Sequence, residues 1–106
     1  MGTPVPPIPP SIVNQMETIE TQLQELQMQV QANPNDPGAK NAFSNIQMEL
    51  QTLQMEAQEA GVPKNVLNQF KAVSQELNQA FQNGQFTGSA VKDIHQAGQD
   101  LSNLFP

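Results

Sequence analysis

From Ala39 to Ala60 the apolar residues fall at alternating steps of four and three: Ala39, Phe43, Ile46, Leu50, Leu53, Ala57 and Ala60. This is a heptad seam, and it marks an α-helix whose one apolar face packs against other helices. Two further segments carry the same design. One runs through Ile12, Met16, Ile19, Leu23, Leu26 and Val30, the other through Val66, Phe70, Val73, Leu77 and Ala80. A fourth seam reads Val91, Ile94, Gly98, Leu101 and Phe105. Its glycine either costs roughly 1 kcal/mol against alanine or admits a close helix contact.

Punctuation between the seams sets the helix bounds at about 12–32, 37–60, 63–83 and 89–104. Ser11 reads as an N-cap, and Asn33-Pro34 stops the first helix. Asp36 caps the second with Pro37 at its first position. Gly61 is placed for a left-handed C-cap, with Pro63 beyond it to start the third helix. Gly84 closes that helix, with Phe86 folding back over its end, and Thr87 or Ser89 caps the fourth. Connections this short force antiparallel neighbours. The expected fold is therefore all-α: one domain over residues 11–106, a four-helix bundle or a double α-hairpin. Residues 1–10 precede it as a Pro-rich extended arm. In polyproline II geometry Val5 and Ile8 share an edge of that arm. A solvated tail and an arm docked through Val5 and Ile8 both fit this pattern. Its PxxP spacing lacks the flanking basic residue of an SH3 ligand.

Composition narrows the function. The 106 residues are 37% hydrophobic and only 13% charged, with 17 Gln and 10 Asn in place of the usual surface Lys and Glu. Periodic apolar residues separate such a chain from a disordered one. Residues 1–60 hold seven acids and one Lys, and the remaining residues hold three of each. With no Arg and four scattered Lys, neither nucleic acid nor an anionic membrane surface is an expected partner. The absence of Cys excludes disulfides and thiolate metal sites. No apolar run reaches membrane-spanning length, and the N-terminus lacks the pattern of a cleaved signal. The expected location is extracellular or cell-surface by a non-cleaved route, with the cytoplasm as the alternative.

Candidate chemistry is sparse. His95 is the single histidine, and only Gln99 follows it at helical spacing. Glu17 with Glu20, and Glu56 with Glu59, stand one turn apart on Gln-rich faces, where solvated charge is the expected state. No phosphate-binding loop or nucleophile elbow is present. No catalytic, cofactor-binding or metal-binding residue is nominated, and the chain is not expected to be an enzyme.

The candidate sites are therefore surfaces. With Ile46 and Leu53 at heptad position d, Glu49 and Glu56 occupy g, no Lys holds g, and Lys40 is the one Lys at e. A parallel homodimer would repel itself there, so packing within the chain or against a basic partner fits better. On the same lettering Met28, Met48 and Met55 occupy f, opposite the seam. That position points to a second contact surface of adaptable side chains. Leu104 and Phe105 form an apolar C-terminus. The interaction candidates are thus Val5 and Ile8 on the arm, the three methionines on the helices, and Leu104 and Phe105 at the end. A short internal similarity, Ile19 to Met28 against Ile46 to Met55, fits duplication and shared heptad pressure equally.

The turn Asn33-Pro34-Asn35-Asp36-Pro37 resembles that of type III secretion needle subunits, which are helical hairpins joined by a Pro-x-x-Pro turn. Val91-Lys92-Asp93-Ile94, followed by Leu104-Phe105-Pro106, is similar to that family's ending. The resemblance implies secretion without a cleaved signal and polymerisation into a hollow filament. It also implies a wall built by the hairpin and a lumen lined by the C-terminal helix. Gly61-Val62-Pro63 and Gly84 depart from the pattern, because they interrupt what would be one long helix. The expected function is a non-enzymatic structural subunit that self-assembles into a helical filament or other homo-oligomer of a secretion apparatus or surface appendage. The alternative is a small adaptor or chaperone-like module that binds a partner helix through a Met-lined groove.

Overall fold

A computed structural model describes residues 8–104. Helix α1 spans Pro10–Ala32, α2 Pro37–Glu59, α3 Lys64–Ala80 and α4 Ala90–Ser102. Two-residue strands β1 (Phe81–Gln82) and β2 (Gln85–Phe86) form an antiparallel pair between α3 and α4. Helix α1 packs against α2 and α4, and α3 packs against the same two helices. Each helix thus borders its neighbours in sequence, and α4 returns to close on α1. The result is an up-down four-helix bundle, the packing that short connections dictate.

The ends of α2 show how local chemistry sets these bounds. Asp36 accepts a hydrogen bond from the Gly38 N–H at 2.9 Å, which satisfies one otherwise unpaired donor of the first turn. At the other end Gly61 has φ +80°. The Val62 N–H then reaches the Ala57 carbonyl at 3.0 Å and the Gly61 N–H reaches Gln58 at 3.2 Å. This is a Schellman motif, with buried Val62 as its apolar clasp.

Several sequence expectations are corrected. Helix α1 begins at Pro10 after an extended Pro9, with no side-chain cap, so Ser11 lies inside the helix and does not cap it. Helix α3 stops at Ala80, not near residue 83, because Asn83 and Gly84 take positive φ of 56° and 75°. Two consecutive left-handed residues make a hairpin turn of the type that Asn-Gly favours, and no helix can pass through it. The inward face of α4 is Ala90, Ile94, Ala97 and Leu101. Ile94 and Leu101 were expected there; Val91 and Gly98 are only half-buried. Alanine at two inward positions leaves room for α4 to lie against α1 and α3 together. A Cβ added at Gly98 would meet nothing within 4 Å, so this glycine does not serve a close helix contact.

The seams of α1 and α3 are buried at every expected position, and that of α2 is buried up to Ala57, with Ala60 exposed. No polar or charged residue is buried among the described residues. At one end of the core the rings of Phe43, Phe81 and Phe86 meet with centroids 4.8–5.6 Å apart. Two of the three contacts are edge-on, the geometry favoured by the ring quadrupoles.

Candidate functional site

In an antiparallel hairpin of heptad helices, the g residues of one helix face the g residues of the other. On α1 these are Gln15, Gln22 and Gln29; on α2 they are Glu56, Glu49 and Ala42. The Asn33–Asp36 turn sets a register that brings them opposite one another. Gln15 Nε2 donates to Glu56 Oε1, and Gln22 Nε2 donates to Glu49 Oε1 at 3.5 Å. Amides stand where a coiled coil would place lysines, so the carboxylates are bonded by uncharged partners.

These pairs span a groove along the α1–α2 hairpin. Its larger part is a cavity of about 510 Å³ lined by Asn14, Gln15, Thr18, Ile19, Met48, Glu49, Thr52 and Glu56. A smaller part of about 160 Å³ continues between Gln22, Glu25, Gln29, Ala42, Asn45 and Ile46. Thr18 Oγ1 donates to the Asn14 carbonyl and Thr52 Oγ1 to the Met48 carbonyl, both at 3.1 Å. Glu49 Oε2 and Gln22 Oε1 are shielded from solvent and have no hydrogen-bond partner among the described residues.

The nominated residues separate into groups. Met28, Met48 and Met55 are 70%, 64% and 64% exposed, large apolar side chains held out in solvent. Of the three only Met48 lines the groove. Ile8 is buried in the core of its own bundle, and Leu104 is half-buried against it. Val5 and Phe105 lie outside the described residues. Sequence reasoning missed the pairing of Gln15 with Glu56 and Gln22 with Glu49. The signal was present, since the heptad lettering that placed the glutamates at g also places those glutamines at g.

His95 is exposed, and its Nε2 lies 3.1 Å from Gln99 Nε2 across one helical turn. Both line a shallow α1–α4 cleft of about 130 Å³. Among the described residues no three His, Asp or Glu side chains are grouped to hold a metal ion. No helix among them is long and apolar enough to cross a membrane.

One ionisable group is strongly perturbed. Glu76 on α3 faces Asp93 and Asp100 on α4, and its carboxyl is pushed up from 4.5 to about 7. Desolvation is the largest cause, followed by the hydrogen bond and charge of Asp100 and the charge of Asp93. The folded chain thus binds this proton more tightly than the unfolded chain. The stability it contributes is fully present below pH 4.5 and is lost as pH rises through about 7. Glu76→Gln is expected to flatten the fall in urea midpoint between mildly acidic and mildly alkaline buffer. At alkaline pH it should add about 1 kcal/mol, the full shift being discounted for solvent screening of a half-exposed group. An unchanged slope in the variant would assign the pH dependence to another group.

No protein-family model matches the chain, and no curated protein and no solved structure matches it significantly.

Proposed function

We propose that this chain is a non-enzymatic interaction module that receives a partner helix in the α1–α2 groove beside Met48. The cavity of about 510 Å³ carries this reading, because it opens outward from a hairpin whose seam residues are already buried within the chain. A helix-binding groove needs an apolar floor and polar walls that fix orientation. Met48 supplies the apolar contact, above buried Ile19; Gln15, Glu49 and Glu56 supply the walls. Met48 is flexible and polarizable, which suits a surface that must adapt to a partner's side chains.

A second reading rests on a different observation. Met28, Met48 and Met55 together expose apolar area that the core does not use. Self-assembly into a homo-oligomer or filament, of the kind the needle-subunit resemblance implies, would cover it. The amide-rich surface supports close lateral packing, since it adds little charge repulsion between crowded copies.

Light scattering over a wide concentration range, with electron microscopy of the heaviest fraction, separates the two. The module reading expects a concentration-independent monomer of 11.6 kDa. The assembly reading expects filaments or closed rings that Met48→Glu combined with Met55→Glu abolishes, with helical content unchanged by circular dichroism. Regular assemblies of the wild-type chain would replace the first reading with the second.

A further inference from the structure

The groove's occupant can be specified more closely from the hydrogen-bonding capacity left at its walls. Gln15 and Gln22 each direct an amide donor to a carboxylate of α2. Thr18 and Thr52 direct their hydroxyl hydrogens to their own helices. What remains at the centre is acceptor capacity, above all Glu49 Oε2 and Gln22 Oε1, which no described residue satisfies. A buried acceptor without a donor is costly, and more so when it is charged. No basic residue lines either part of the groove. Helix α1 contains no Lys or Arg at all, and Lys40 of α2 lies off the groove-lining face.

We infer that the groove receives a cationic amphipathic helix of a partner protein, with Lys or Arg at two positions seven residues apart. Glu49 and Glu56 are separated by two helical turns, about 10.5 Å along the axis. A helix lying along the hairpin presents cations at that interval on one face. Its apolar residues between them would meet the exposed Met48 side chain. Cationic donors supply the hydrogen bonds that the walls lack and place a basic group where α1 offers only amides. A second copy of the chain fits less well. Its Lys64 and Lys71 have the right spacing, but Leu67 between them is packed against its own core, and Asn68 offers no apolar group.

This inference rests on the helix-binding reading, and the test separates the two. The probes are three synthetic helical peptides of equal length with the same leucine face and with Lys, Gln or Glu at the polar positions. Each is titrated into the full chain at low and high salt. Binding is read by fluorescence anisotropy, and its place by the NMR signal of the Met48 methyl. The Lys peptide is expected to bind about tenfold tighter than the Gln peptide and to shift the Met48 signal, with the Glu peptide weakest. The advantage should shrink with salt. Glu49→Gln with Glu56→Gln should remove it, whereas Glu17→Gln with Glu59→Gln, outside the groove, should leave it intact. Equal binding of the Lys and Gln peptides at Met48 would overturn the cationic preference while keeping the groove reading. Failure of every peptide to move the Met48 signal would overturn the groove reading itself. Loss of Lys-peptide binding in both double variants alike would reduce it to general attraction and overturn the inference. So would salt-sensitive self-association that Glu49→Gln with Glu56→Gln abolishes, which would make a second copy the occupant.

Discussion

Phe70→Ala is expected to lower the free energy of unfolding by about 3–5 kcal/mol, the range for emptying an aromatic site in a packed core. Phe70 is 0% exposed and is among the largest side chains wholly inside the bundle. It sits on the inward seam of α3, the helix that borders both α2 and α4. The loss combines the transfer free energy of the ring with a cavity that surrounding helices fill only in part. A domain of this size is stable by about 5–15 kcal/mol in total, so the variant would stand close to its unfolding threshold. Urea denaturation followed by circular dichroism checks this. The midpoint should fall sharply while the slope stays the same, the mark of lost stability without a change in the unfolded state. Met48→Ala, an exposed change, should stay within about 0.5 kcal/mol of wild type. A Phe70→Ala midpoint equal to that of Met48→Ala would contradict the packing described above.

The second large effect is expected at Phe43, whose replacement by Ala should cost about 3 kcal/mol. Phe43 is 5% exposed, and its ring meets Phe81 at 4.9 Å and Phe86 at 5.6 Å. The two partners face each other across the β1–β2 pair. Phe43 therefore ties a two-strand element, too small to be stable by itself, to the long helix α2. A double-mutant cycle with Phe86→Ala should return a coupling of about 1 kcal/mol, appropriate to an edge-on aromatic pair. Hydrogen exchange supplies an independent readout. The Thr87 amide, bonded to the Ala80 carbonyl at 2.9 Å, should lose protection in Phe43→Ala before the amides of α1 do. Simultaneous loss at both places would show that the hairpin unfolds only with the whole bundle.

How far the sequence was legible depended on the length and strength of each pattern. The inward faces of α1 and α3 follow the heptad spacing residue by residue, and that of α2 departs only at Ala60. These helices repeat the seam often enough that one face alone can be buried. In α4 the seam is short, and alanines and a glycine stand beside Ile94 and Leu101. Small residues carry little apolar area, so hydropathy could not choose between Ala90 with Ala97 and Val91 with Gly98. Packing against two helices at once made the choice. The hairpin at Phe81–Phe86 was missed because Gly84 read as a helix stop. Asn83 and Gly84 together are a hairpin signal, and Phe81 and Phe86 flank them at matching positions.

The candidate site was legible only in its ingredients. The methionines and the glutamates at g could be named in advance, whereas their relation to one another could not. The sequence by itself determined that this chain buries four helical faces, where α2 begins and ends, and which residues of α1 and α3 turn inward. Heptad periodicity, the Asp36-Pro37 start and the Gly61 cap are local and act through the nearest few residues. Tertiary structure alone decided that Gln15 meets Glu56, that Gln22 meets Glu49, and that a groove with unpartnered acceptors opens between them. Flanking positions of a helix gain neighbours only when a second helix is laid beside it in one register, and that register is a property of the packed hairpin.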